Sequence, residues 1–299
     1  MLVLVVLGVS FMIFFTMDMA PGDLAITILG EDATLEELAA LREELGLNDP
    51  LLVRYGRYMW NLLHGDIGYS YVYRMNVWDL YIQRLSSTII LSIATIIVSH
   101  VVSLPLGIYA SLRRGSIQDN IASGVSMIGL AAPNFWVGLM LIIAFSLNLG
   151  WFNSGGFESW KDVVLPAITV GTGQTALLTR TTRSSMIDVL SQDYLMLARA
   201  KGVSEKKVIR KHALKNALIP IITVSGTQFC ACLGGAVLTE TVFAWPGIGL
   251  LIVNSIKSND YETVTGAIIM TSILTSLVLL LVDILYAFVD PRIKAQYRK

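Results

Sequence analysis

Six long stretches without a single Asp, Glu, Lys or Arg limit what this chain can fold into: Met1–Met17, Leu85–Leu112, Ile121–Phe152, Val163–Thr179, Asn216–Thr239 and Thr263–Val282. A bilayer-spanning helix needs about 20 mostly apolar residues to cross roughly 30 Å of hydrocarbon. The first stretch is short and the fourth is rich in Gly and Thr, yet interfacial flanks bring both into that range. Composition agrees, with 54% hydrophobic and only 15% charged residues, against about 25% charged in soluble domains. Lipid supplies no hydrogen bonds, so a spanning backbone must satisfy itself as helices or as a closed barrel. Unbroken apolar runs lack the alternation of a barrel strand. The expected fold is an all-α integral membrane bundle of about six transmembrane helices forming a single domain over residues 1–299.

Formal net charge is zero, but its distribution is uneven. One side of the six segments receives Arg113, Arg114, the bases between Arg180 and Lys215 and those after Asp290, 15 of the 22 Lys and Arg. The other side receives 7, with 16 of the 22 acids. The positive-inside rule makes the basic side cytoplasmic and places both termini there. Met1–Ala20 has neither a basic start nor a small-x-small cleavage site, so it reads as a span rather than a signal peptide. Cys230 and Cys232, two residues apart on a helix, face apart and read as free thiols.

Residues 18–84 form an extracytoplasmic insertion in this reading. Within it Thr34 to Gly46 carries Leu35, Leu38, Leu41 and Leu45 at helical spacing, acids in the first turn and a glycine stop, which predicts a short amphipathic helix. No internal repeat marks two inverted halves. No G-x-x-x-x-G-K-[ST] string occurs, so any ATP is expected on another subunit. His64, His100 and His212 fall outside, in a span and in a cytoplasmic loop, so no metal site and no catalytic constellation is expected.

The cytoplasmic segment 186–217 is the most informative. A helix is expected up to Lys201, with Gly202 in a left-handed conformation and Ser204 capping a second helix to about Lys215. Leu195, Ala198, Val203 and Val208 would then offer a small apolar surface in a basic surround, suited to docking a partner. The plain alternative is a solvated basic loop.

Ala198-Arg-Ala-Lys-Gly202 and His212-Ala-Leu-Lys-Asn-Ala-Leu-Ile-Pro220 resemble the coupling (EAA) loop of binding-protein-dependent ABC importers. Of its general pattern, Glu-Ala-Ala, three residues, Gly, nine residues, Ile, one residue, Leu-Pro, only Ala198, Gly202 and Leu214 match. The departure is similar to the dipeptide, oligopeptide and nickel permease subfamily. Ala20-Pro-Gly-Asp23, Leu47-Asn-Asp-Pro-Leu51, Gly65-Asp-Ile-Gly68, Arg113-Arg-Gly115, Pro133-Asn-Phe-Trp136, Leu165-Pro166, Gln192-Asp-Tyr194, Glu240-Thr-Val-Phe-Ala-Trp-Pro-Gly247 and Asp290-Pro-Arg292 resemble its motifs in order along nearly the whole chain.

The resemblance implies a type I ABC importer permease, here the B-type subunit, in the cytoplasmic membrane of a bacterium. Implied partners are a sister permease in a heterodimer, two cytoplasmic ATPase subunits holding ATP and Mg, an extracytoplasmic substrate-binding protein and the bilayer; no nucleic acid is among them. This chain would bind no cofactor and be no enzyme itself. The cargo would be a dipeptide or oligopeptide, with nickel or metal complexes and glutathione as alternatives; a secondary carrier, a channel or a membrane scaffold would need no ATPase. Asp193, Tyr194, Ala198, Arg199, Ala200, Lys201, Gly202 and Ser204 are the candidates for ATPase coupling. For a pathway or gate they are Pro133, Asn134, Gln174, Gln228, Glu240, Trp245 and Pro246, since polar groups and helix breaks within spans face protein or water. Gly226, Gly234, Gly235 and Asp283 are candidates for helix packing.

Overall fold

The computed structural model describes residues 2–19, 23–30 and 32–289; Ala20-Pro-Gly22, the motif Asp290-Pro-Arg292 and both chain ends lie outside the described residues. The chain divides into two compact units, one of residues 1–88 with 246–276 and one of 89–245 with 277–299.

The first unit begins with α1 (Leu2–Asp18), α2 (Leu24–Leu29), α3 (Leu35–Glu44) and α4 (Leu51–Leu63). The expected helix is α3. Thr34 and Glu37 close its capping box, Leu38 is its buried residue, and Gly46 beyond its end has φ +63. Tyr55 of α4 shares a hydrogen bond of 2.9 Å with Ser10 of α1 and meets Phe11 edge-on at 5.4 Å. A two-residue antiparallel hairpin follows, β1 (Tyr69–Ser70) with β2 (Met75–Asn76). Ser70 donates to Asp260, which also accepts from the hydroxyl of Thr263 at 2.7 Å. One carboxylate thus ties the hairpin to the start of α14 (Tyr261–Val289). The apolar core here is Tyr81, Ile248 and Ala267, from α5 (Val77–Leu112), α13 (Ile248–Lys257) and α14.

The second unit is built around α8 (Val164–Leu190), against which α6 (Ile117–Ala131), α7 (Asn134–Leu141) and α11 (Leu214–Leu233) pack. Small residues set the spacing: a Cβ on Gly107 of α5 would sit 2.6 Å from Cβ of Thr182 on α8, and one on Gly129 would sit 3.3 Å from Cβ of Ala176. Lipid gives little hydrophobic drive between helices, so such close backbone approach supplies much of the packing energy. Asp119, 1% exposed, accepts a bidentate pair from Arg183, fixing the start of α6 to α8.

Among the described residues three helices are long and apolar enough to span: α5, the run Glu205–Leu233, and Tyr261–Ile284. The third apolar stretch is broken at Pro133, the candidate break within it. Ile117–Ala131 and Asn134–Asn148 meet at 99°, because Pro133 lacks the N–H a continuous helix would use. As a bent pair they make a fourth candidate. The described part of α1 is too short, and α8, rich in Gly and Thr, is not apolar enough, so neither meets the same test.

Candidate functional site

The expected elbow exists. α9 (Asp193–Ala200) ends at Gly202, whose φ is +77. The N–H of Gly202 donates to Arg199 O at 2.9 Å and that of Val203 to Ala198 O at 3.2 Å, the paired bonds of a Schellman stop. Arg199 on one arm then reaches Glu205 on the next, Nε to Oε2 at 3.0 Å and Nη2 to Oε1 at 2.9 Å. That hydrogen-bonded carboxylate raises the Arg199 guanidinium above its already high ordinary value, outweighing burial. Tyr194 accepts from the Asn216 amide at 2.7 Å, tying α9 to the base of α11.

Three details of the elbow differ from the sequence reading. The second arm does not stop near Lys215: α10 (Glu205–Lys207), a π-helical stretch Val208–Ala213 and α11 run on as one helix. Ser204 holds the cap position, but its side chain makes no cap bond; its carbonyl accepts from Lys207 and Val208 instead. The apolar set expected to face a partner is turned inward. Leu195 and Val208 are fully buried with Met186, Ala213 and Ala217, and Ala198 and Val203 pack on them. The outward apolar residues are Met196 and Leu197, 66% and 63% exposed, beside exposed Asp193, Arg199, Ala200, Lys201 and Ser204.

The pathway candidates fall into separate places. Pro133 and Asn134 form the α6–α7 break. Gln174 and Gln228 clasp α8 to α11: Gln228 Nε2 donates to Gln174 O at 3.1 Å, and Gln174 Nε2 donates to Cys232 Sγ at 2.8 Å. Their two side-chain carbonyls are buried with no hydrogen-bond partner among the described residues. Glu240 lies in α12 (Val237–Val242) and is fully buried; its backbone carbonyl receives Trp245 N–H at 2.8 Å. Trp245 is core, its ring tilted against Phe157 at 4.4 Å between centroids, beside Phe243. Pro246 belongs to the first unit and precedes α13.

Among the packing candidates, a Cβ on Gly226 would collide with Val282, so α11 and α14 touch there. Gly234 and Gly235 instead end α11, the latter at φ +100, and Asp283 is exposed. Sequence reading missed the Arg199–Glu205 and Asp119–Arg183 pairs; His100, mid-way in the second apolar stretch, has the hydrogen-bonded helix-packing role its position suggests, with 2.7 Å between its Nε2 and Ser225 Oγ. The charges on either side of Gly202 could have signalled the first; the second joins residues too far apart in sequence. Among the described residues no three His, Cys, Asp or Glu side chains gather as a metal site.

Residues 103–295 match the family described as "Binding-protein-dependent transport system inner membrane component", and residues 1–92 its N-terminal counterpart. A glutathione transport system permease protein, GsiC, of Escherichia coli O6:H1 is 39% identical over 96% of this chain and 94% of its own length. The dipeptide transport system permease protein DppB of Escherichia coli K12 is 36% identical over 96% and 94%. A solved structure of the MetNI methionine ABC transporter, inward facing, shares the fold at TM-score 0.61 and 17% identity, covering 71% of this chain and 96% of that one. The chain belongs to the binding-protein-dependent transport system inner membrane components. It is the permease subunit of an ABC importer in the inner membrane, and the ATPase activity belongs to separate subunits.

Proposed function

We propose that this chain carries peptides inward by alternating access, as one half of a permease heterodimer, with both termini and the Gly202 elbow cytoplasmic and residues 18–84 on the binding-protein side. ATP and Mg sit on two partner ATPases. The reading is carried by one observation: α9 is rooted through Leu195 in the same cluster as Met186 of α8 and Ala213 and Ala217 at the base of α11. A push on exposed Met196 and Leu197 therefore moves both helices together, since a close-packed cluster transmits displacement rather than absorbing it. Coupling is then mechanical. The Gln174–Gln228 clasp lies further along the same two helices and would feel that motion. The DppB relative favours peptide as cargo, and the GsiC relative makes glutathione the second reading.

The test is reconstitution of the chain with its sister permease, both ATPases and the binding protein, reading uptake of labelled trialanine and of glutathione. Uptake that needs ATP and the binding protein supports the reading; uptake driven by an ion gradient alone contradicts it.

A further inference from the structure

The first unit bears a half-open cavity of about 710 Å³ that the coupling scheme does not use. Its walls come from α1, α3, α4, the hairpin and the start of α14. Three arginines line it, and each is committed: Arg42 to Asp23, Arg54 to Asp18 and Arg57 to Asp49. The Arg42 bonds hold Asp23 below the usual carboxylate range, outweighing burial. Two lining carboxylates, Asp66 and Glu262, have no ion-pair partner among the described residues.

Both meet at Gly68. Its N–H donates to Asp66 Oδ1 at 3.0 Å, and a Cβ there, at φ +112, would collide with the Glu262 carboxylate. The third group is Tyr58, a residue of the cavity wall whose hydroxyl is buried and has no hydrogen-bond partner among the described residues. Burial pushes its phenol far up, and the charges of Glu262 and Asp66 add to the rise. Tyr69 and Tyr71, in edge contact at 5.4 Å, and Tyr261 add aromatic surface to the same wall.

Two unpaired carboxylates, an orphan hydroxyl oxygen and aromatic faces complement a cation that donates three hydrogen bonds. A bare divalent ion would need more ligands than this site offers, and among the described residues no three acids, His or Cys gather for one. A quaternary ammonium has no N–H and would leave Tyr58 unsatisfied. The volume falls within the roughly 300–1,000 Å³ of small-solute sites.

We propose that this cavity binds the primary ammonium group of a small solute, with Asp66, Glu262 and the Tyr58 hydroxyl receiving its three N–H donors. The assignment rests on the extracytoplasmic placement of residues 18–84 proposed above. A peptide amino terminus and a phosphatidylethanolamine headgroup both carry this group, so the test separates them.

Full-length chain in phosphatidylcholine nanodiscs is titrated calorimetrically with trialanine and with N-acetyl-trialanine. Trialanine should bind saturably, and acetylation, Asp66→Asn or Glu262→Gln should each weaken binding about tenfold or more, since each removes a charge-assisted bond. Glu36→Gln, exposed on α3 and away from the cavity, should bind as the parent does. Tyr58→Phe, the milder change, should weaken binding several-fold, guarding against loss of fold in the acid variants. Loss of trialanine binding when phosphatidylethanolamine is added identifies the headgroup as occupant; unchanged binding identifies the solute. Equal binding of the acetylated peptide, or no trialanine binding in phosphatidylcholine, overturns the proposal. ATP-dependent uptake by the assembly that ignores N-acetylation would overturn this site while leaving the importer reading intact.

Discussion

Arg199 and Glu205 join the two arms of the Gly202 elbow by a two-point clamp across six residues of sequence. Both side chains are exposed, at 40% and 56%, so the pair contributes at most about 1 kcal/mol to stability. Its role is to hold an angle. Arg199→Gln should leave thermal stability in detergent nearly unchanged and lower the solute carried per ATP hydrolysed. An unaltered transport-to-hydrolysis ratio would leave the clamp without a function.

Leu195 and Leu197 lie two residues apart on α9 and face opposite ways, one buried and one 63% exposed. Leu195→Ala should destabilise the fold by about 2–4 kcal/mol, as for a truncated core leucine. Leu197→Ser should change stability by no more than about 0.5 kcal/mol yet weaken copurification of the ATPases. Thermal melts together with pull-downs read both. ATPase binding that survives Leu197→Ser together with Met196→Ser would remove α9 as the docking face.

Asp162 ends the loop before α8 in a cup of donors: Glu158 N–H at 2.9 Å, Ser159 N–H at 2.7 Å and the Asn153 amide at 2.9 Å. Burial alone would raise its pKa, but these bonds together hold it below its ordinary value of 3.8. A carboxylate depressed on folding contributes stability above its unfolded pKa and loses it as pH falls through the folded one. Protection of the loop amides from hydrogen exchange should therefore be constant at neutral pH and drop below about pH 4. Asp162→Asn should remove that dependence. A drop of equal size in the variant would assign it to other groups.

Charge asymmetry sets the proposed topology. A cysteine at Lys207 should react with impermeant thiol reagents only from the cytoplasmic side, and one at Lys161 only from the other; both positions are exposed. Native Cys230 and Cys232, half-buried and buried, are replaced by alanine in the parent. Labelling of both positions from one side would contradict the placement of the elbow.

What was legible in the sequence were features with local causes. Apolar runs forecast helices because lipid leaves the backbone no other partner. Thr34 and Gly46 bracket α3 because a cap and a left-handed stop act within one turn, and Gly202 announces its own positive φ in the same way. The facing of the elbow was not legible, because an arm of only eight residues (α9) is too short for its periodicity to show which side the rest of the chain covers. The Asp119–Arg183 pair, 64 residues apart in sequence, and the Gln174–Gln228 clasp, 54 apart, exist only once α8 has met α6 and α11. Pro133 marked a break, but the angle of 99° follows from packing on either side of it.

The proposed ATP coupling stands or falls on the elbow. Gly202 has φ +77 with open space where a Cβ would lie, so bulk there meets only backbone strain, about 1 kcal/mol or more, and whatever docks from outside. The decisive measurement is ATP-dependent trialanine uptake by proteoliposomes of the full assembly, with ATPase copurification read on the same preparations, comparing the parent with Gly202→Val, Ala198→Glu and the surface control Lys206→Ala. The account predicts that Gly202→Val and Ala198→Glu insert and pair with the sister permease but lose both ATPase binding and uptake, while Lys206→Ala keeps them. Normal ATPase binding and normal uptake in both elbow variants would contradict it.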